Sequence, residues 1–323
     1  KSVVWYPFAT HKDLSARIET GLNAVRARVR YGALCPEQQR DVCGILDEMR
    51  LVKDAHELDI MRRASQISAG AHIRAMKRSA SMLRAGQDVR EYHLDAELLH
   101  EFRQHGSQYT AYGSIVAGGA NACVLHYRAD TAPLRNGDLV LIDAGCELDG
   151  YASDITRTLP VNGRFTPPQR AAYDVVLEAN LAAIEAVRPG ASWNRPHEVA
   201  VQVLTAGMVR LGLLKGRVPS LVKSLAYRRF YMHKTGHWLG MDVHDVGDYK
   251  IGDAWRQLEP GMVLTVEPGL YIPPGTRGIP PEFRNIGIRI EDDVLVTREG
   301  HEVLTTGVPK HAREIEQLMA DRS

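Results

Sequence analysis

Five side chains able to ligate a metal stand at the ends of, or inside, short apolar runs. Asp143 closes Leu139-Val-Leu-Ile, Glu267 closes Val263-Leu-Thr-Val, and Glu291 follows Ile286-Gly-Ile-Arg-Ile. Asp154 lies in Tyr151-Ala-Ser-Asp-Ile-Thr-Arg-Thr, eleven residues after Asp143, a separation at which a hairpin returns the second carboxylate to face the first. His237 lies in His233-Lys-Thr-Gly-His-Trp-Leu-Gly. Any one of these has an ordinary reading, since an acid at a strand end usually forms a turn or an ion pair and a lone histidine usually packs in a core. Together they do not. Burying several carboxylates without a counter-charge is costly enough that a chain doing so repeatedly calls for cations. An oxygen-rich set with one imidazole suits Mn, Co or Fe better than a thiolate-type zinc site. Four carboxylates could neutralise two divalent ions and hold an activated water between them.

These residues need strands to carry them and helices to cover the strands. Asp138–Asp143 and Tyr151–Leu159 read as strands joined through the turn Glu147-Leu-Asp-Gly150, an antiparallel hairpin. Met262–Glu267, Ile286–Glu291 and Val294–Thr297 read as further strands, whereas Val116–Asn121, rich in glycine, reads as a loop. Ile60, Ala64, Ile67 and Ala71 recur at helical spacing within a helix over 55–82. Further helices are expected over 89–105, 168–187, 197–211 and 312–319, with Pro189-Gly190 as a break. Val3–Tyr6 reads as a strand and the stretch through Leu14, Ile18, Leu22 and Val25 as a helix. The layout is α+β, with helices over a largely antiparallel sheet.

Composition narrows the class of function. Forty basic residues balance 39 acidic ones in 323, so no net field recruits nucleic acid or an anionic membrane. No apolar stretch reaches membrane-spanning length, and no secretory leader is visible in the opening residues. Cys35, Cys43, Cys123 and Cys146 form no CxxC pair and read as reduced thiols of a cytoplasmic protein.

The segments Leu141-Ile-Asp-Ala-Gly-Cys, Ser153-Asp-Ile-Thr-Arg-Thr, His237-Trp-Leu-Gly-Met-Asp-Val-His-Asp-Val-Gly, Val266-Glu-Pro-Gly-Leu-Tyr and Gly287-Ile-Arg-Ile-Glu-Asp-Asp closely resemble the bacterial Xaa-Pro aminopeptidases (aminopeptidase P). These are pita-bread metallopeptidases of family M24, akin to prolidases and methionine aminopeptidases. The resemblance runs from about Glu48 to the C-terminus. It implies a curved, largely antiparallel sheet under helices over residues 53–323, with residues 1–52 the end of an N-terminal creatinase-like domain. It also implies metal ligation by Asp143, Asp154, His237, Glu267 and Glu291. Asp154 and Glu291 would bridge two Mn(II)-type ions, Asp143 would complete one site, and His237 with Glu267 the other.

By the same resemblance, Glu267 accepts a proton from the bridging water, His126 and His244 contact the substrate, and His233 is a further active-site histidine. Arg289 is expected to orient a bridging carboxylate. Tyr249 and Tyr271 either line the pocket or pack behind it. Lys234 departs from the family, which usually has a small residue there, and its ammonium is expected to run to solvent rather than to substrate. The implied reaction is hydrolysis of the bond between a first residue and a following proline, in a homodimer or homotetramer. The alternatives are a prolidase, which takes only dipeptides, and a binding module that has lost catalysis. A methionine aminopeptidase fits the wording of the motifs less well.

Overall fold

The computed structural model describes residues 2–128 and 131–321, which divide into two compact units. One holds the residues up to Leu51 together with Val246–Asp248; the other holds Val52–Asp245 and the residues from Tyr249 onward. In the smaller unit, strands β1 (Val3–Tyr6) and β2 (Gln38–Asp41) pair in parallel, with helix α1 (Leu14–Arg26) between them in sequence and helix α2 (Cys43–Leu51) after them.

The larger unit begins with α3 (Ala55–Arg84), a 30-residue helix started by a capping box. The Asp54 carboxylate accepts from the amides of His56 and Glu57, while the Glu57 carboxylate accepts from the amide of Asp54 at 2.7 Å. Its inward stripe runs Ile60, Ala64, Ser68, Ala71, Ala75, Ser79 and Met82, spaced three or four residues apart. Helix α4 (Glu91–Gln104) packs against α3, and α5 (Pro167–Glu185) packs against α6 (Arg195–Arg210). A short α7 (Val218–Lys223) follows, and α8 (Ala312–Ala320) closes the chain against α3.

All strand pairings described in this unit are antiparallel. Strands β4 (Ile115–Gly118), β5 (Leu139–Asp143) and β8 (Thr156–Pro160) form one sheet, and β3 (Tyr109–Thr110), β6 (Cys146–Leu148) and β7 (Tyr151–Ala152) another. β9 (Lys250–Ile251) pairs with β10 (Ala254–Trp255). β11 (Val263–Val266) pairs with β14 (Asp292–Val296), which also pairs with β15 (His301–Val303). β12 (Gly269–Ile272) pairs with β13 (Ile286–Arg289).

Two sequence expectations need correcting. Val116–Asn121 is not a loop: β4 runs through Gly118, its strand residues registered one by one against β5, and a 3₁₀ turn (Gly119–Cys123) follows. Its apolar residues, buried on both sides, outweigh the glycines. Nor is Tyr151–Leu159 one strand. The chain leaves the β6–β7 pair at Ala152 and rejoins β5 at Thr156, so residues 153–155 sit at a switch between two sheets.

Helix α3 pins that switch. Ser68 Oγ and Ser153 Oγ lie 2.7 Å apart, and the amide of Cys146 donates to Ser68 Oγ at 3.0 Å. His72 Nε2 donates to the Ala144 carbonyl at 3.0 Å, while burial lowers its pKa to about 4 and keeps the ring neutral. Gly145 is required here because a Cβ would stand 1.7 Å from the Ser153 carbonyl oxygen. Gly145→Ala is therefore expected to cost roughly 3 kcal/mol or more. Gly300→Ala, where a Cβ meets nothing within 4 Å, should stay within about 0.5 kcal/mol. Urea midpoints of the two variants compared with the parent measure this difference.

Candidate metal centre

The sheet switch and the ends of three strands bring the acids together. Asp143 is the last residue of β5, opposite Thr156 of β8. Asp154 occupies the switch itself, its amide donating to Asp293 Oδ2 at 3.0 Å. Glu291 joins β13 to β14 and bridges to Thr156, with the Glu291 amide donating to the Thr156 carbonyl at 3.0 Å. Glu267 links β11 to β12 and donates its amide to the Thr235 carbonyl at 2.8 Å. The His237 carbonyl accepts from the amide of Thr265 of β11 and the His237 amide donates to the Thr265 hydroxyl, an approach that Gly236 permits, since a Cβ there would lie 2.0 Å from the Thr265 carbonyl oxygen.

All nine residues expected from the sequence, His126, Asp143, Asp154, His233, His237, His244, Glu267, Arg289 and Glu291, line one cavity of about 390 Å³. Ligand atoms of Asp154, His237 and Glu291 lie within 4.8 Å of one another. His237 Nε2 is 3.5 Å from Asp154 Oδ2 and 3.8 Å from Glu267 Oε1. Asp143 is held from two sides, by the Arg289 Nη2 donor at 2.5 Å and the Tyr112 hydroxyl at 2.6 Å. Arg289 thus grips Asp143 directly rather than one of the two acids expected to bridge. It reaches Glu291 through Thr156, whose hydroxyl accepts from Arg289 Nε at 3.1 Å and donates to Glu291 Oε2 at 2.6 Å.

Carbonyl oxygens only accept, which fixes two tautomers. His237 Nδ1 lies 2.9 Å from the Trp238 carbonyl and must carry the hydrogen, leaving Nε2 to face the acids as a lone pair when the ring is neutral. His233 Nδ1 lies 2.7 Å from the Lys234 carbonyl and likewise donates. Its Nε2 then accepts from the Tyr271 hydroxyl at 2.9 Å, and that oxygen accepts from Arg289 Nη1 at 3.1 Å. Both nitrogens of His233 are therefore engaged, and burial lowers its pKa to about 3. His244 faces the His237 ring edge-on at 4.3 Å between centroids, and His126 lines the cavity from the turn after the 3₁₀ segment. Tyr271 and Tyr249 do not line the cavity; Tyr249 stacks on Trp238.

Tyr112, Thr156, Asp293 and Thr235 were not singled out from sequence. Tyr112 touches two of the acids, its hydroxyl lying 2.5 Å from Asp154 Oδ1 as well, yet nothing in its neighbourhood Tyr109-Thr-Ala-Tyr-Gly marks it. Asp293 had a signal in the run Glu291-Asp-Asp, and Thr235 in its place between His233 and His237.

Electrostatics test whether cations fit. Burial raises Asp154 and Glu291, and the neighbouring acids add to it. Glu267 rises to about 7, by burial first and then by Asp154 and Asp143, against the pull of His237 and Arg289. Burial opposes charge on His237, but its contact with Asp154 and the fields of Glu267 and Asp154 prevail and raise it to about 9. Without a cation the cluster retains protons to stay bearable, the behaviour expected of a set of donors shaped for divalent ions.

Glu267 and His237 bind protons more tightly folded than unfolded, relative to ordinary values of 4.5 and 6.5. Their contribution to stability is present below those values and is lost as pH rises through about 7 and about 9. The buried neutral histidines His72, His197 and His233 act in the opposite sense, but only below about 6.5. The urea midpoint of metal-free protein should accordingly fall between pH 7 and 9, and saturating divalent cation should abolish the fall. Tyr112→Phe should weaken divalent-cation affinity by about 10- to 100-fold, read by calorimetric titration.

The chain is similar to known proteins over most of its length. A family model described as "Metallopeptidase family M24" matches residues 59–298. An Xaa-Pro aminopeptidase of Escherichia coli K12 is 47% identical over 317 residues, covering 98% of this chain and 70% of that protein. One from Haemophilus influenzae is 50% identical over 275 residues, covering 85% of this chain and 62% of its own length. The solved structure of Pseudomonas aeruginosa aminopeptidase PepP superposes with a TM-score of 0.95 at 53% identity, covering 99% of this chain and 71% of that one. The expected α+β, pita-bread architecture is the one these structures share.

Proposed function

This chain belongs to metallopeptidase family M24, and from that premise we propose that it is a hydrolase that removes the first residue from peptides carrying proline second. The single observation that carries the reading is the convergence of the nine residues on one cavity. The names of the similar proteins favour an aminopeptidase over a prolidase.

Asp154 and Glu291 would be shared by two divalent cations, with Asp143 completing one site and His237 with Glu267 the other; an oxygen-rich set with one imidazole favours Mn(II). Bound there, the cations supply Lewis acidity that polarises the scissile carbonyl and activates water. The protein's own groups do the remaining work. Arg289 and Tyr112 fix both oxygens of Asp143, and Thr156 fixes Glu291. Glu267, beside the site of the activated water, would accept its proton and pass it on. His126 and His244 offer ring N–H groups toward the carbonyl oxygen as charge develops on it. His233, with both nitrogens engaged, positions Tyr271 and Arg289 rather than exchanging protons with substrate. Proline in second position makes a tertiary amide with no N–H, so recognition must rest on the ring and the amino-terminal residue.

Metal-free protein should leave Arg-Pro-Pro intact and release arginine once Mn(II) is added. Asp154→Ala should lower that rate by roughly a thousandfold or more, as expected when both cations lose a shared ligand. Cleavage of the dipeptide Ala-Pro to the exclusion of the tripeptide would make it a prolidase. Metal-independent cleavage would refute the reading.

A further inference from the structure

The cavity has a second electrostatic side. Besides the acids, the histidines and Arg289, which is paired with Asp143, it is lined by two further cations, Arg128 and Lys234, and neither forms an ion pair among the described residues. Lys234 is exposed at the cavity wall and steered by neutral groups alone. Its Nζ donates to Asn194 Oδ1 at 3.3 Å and stands 5.1 Å from the centre of the Trp255 ring.

Glu198, the acid that acts on Lys234, accepts from Asn194 Nδ2 at 3.0 Å and faces Arg195 at 3.5 Å. Lys250 stands over the same indole at 4.7 Å, and that indole stacks on Trp193. Partial burial, then Arg228 and Lys250, make the Lys234 ammonium harder to keep charged. A cleft lined by both acids and cations presents both signs of charge to a bound peptide. A peptide whose amino end lies at the acids presents its later residues to the remaining wall. In a peptide, the groups that would relieve this cationic crowding are carboxylates.

We propose that Lys234, with Arg128, reads a carboxylate carried by the substrate beyond proline, and so selects short peptides that end soon after it. The assignment rests on the Xaa-Pro aminopeptidase reading. The sequence expects Lys234 to run to solvent; the residue is exposed, and its ammonium is held by Asn194 and Trp255.

Three substrates separate the possible sources of the carboxylate: Arg-Pro-Pro, its C-terminal amide, and Arg-Pro-Glu amide. Mn(II)-loaded parent protein should show a KM roughly three- to tenfold lower for the free acid than for the amide, the size of a partly exposed charge contact. The preference should shrink with added salt. Lys234→Met should erase it by raising KM for the acid with little change in kcat, and Lys234→Arg should keep it. If Arg-Pro-Glu amide shares the low KM, a side-chain carboxylate is read as well as the chain terminus; if not, the terminus alone is read. An acid-to-amide ratio that is the same in the parent and in Lys234→Met, with all three substrates cleaved, overturns the assignment and leaves the aminopeptidase reading standing. Failure of the parent to cleave any of the three overturns both.

Discussion

Asp143, Asp154, Glu267 and Glu291 share one cavity, where the Arg289 guanidinium grips one of them and the His237 imidazole lies within reach of two others. Two unit charges about 4 Å apart in a partly buried site repel by about 4 kcal/mol at an effective dielectric near 20. Several such pairs amount to a substantial part of a domain's whole stability. The rest of the larger unit is arranged so that this repulsion cannot be relieved by the chain moving apart. Ser68, Ser153 and His72 fasten the sheet switch to α3, and Gly145 lets the two limbs approach more closely than any side chain allows.

The next layer carries its own counter-charges. Arg157 is fully buried, donating to Asp292 at 2.7 Å and to the Glu291 carbonyl at 2.6 Å, and Lys310 meets the other oxygen of Asp292 at 2.8 Å. Burial works against Asp292, but Arg157 and Lys310 hold it ionised well below the usual carboxylate range. Asp293, one residue on, has no such partner among the described residues: burial raises it far above that range, while its Oδ2 accepts from the Asp154 amide and Ser65. Three consecutive acids therefore do three jobs. Glu291 faces the cavity, Asp292 locks the strand to the closing segment, and Asp293 orients the backbone of a second cavity acid. Outer contacts of this kind set ligand geometry as firmly as the ligands themselves.

How much of this the sequence disclosed depended on the range of the interaction. Helix α3 was legible because its apolar period persists over many turns. Asp143, Glu267 and Glu291 were legible as ligand candidates because an acid ending an apolar run is locally anomalous, and Asp154 and His237 because of the segments around them. β4 was misread because Gly118 and Gly119 look like punctuation, whereas partners on β5 decide its conformation. The switch at Ser153–Ile155 was hidden because an apolar run does not reveal that its pairing partner changes. Tyr112 was invisible, since it acquires meaning only from two carboxylates 31 and 42 residues away. Strand alternation relates Arg289 to Glu291, which it reaches through Thr156, but only tertiary packing reveals its direct contact with Asp143.

We propose that the acid cluster holds two divalent cations. Metal content per chain, measured by mass spectrometry after dialysis against Mn(II) and removal of loosely held ions, tests it most directly. The account predicts two Mn(II) per chain, falling to one or none in Glu291→Gln while the variant remains folded by circular dichroism. A parent protein that retains no stoichiometric divalent metal, or a Glu291→Gln variant that retains both ions, would contradict it.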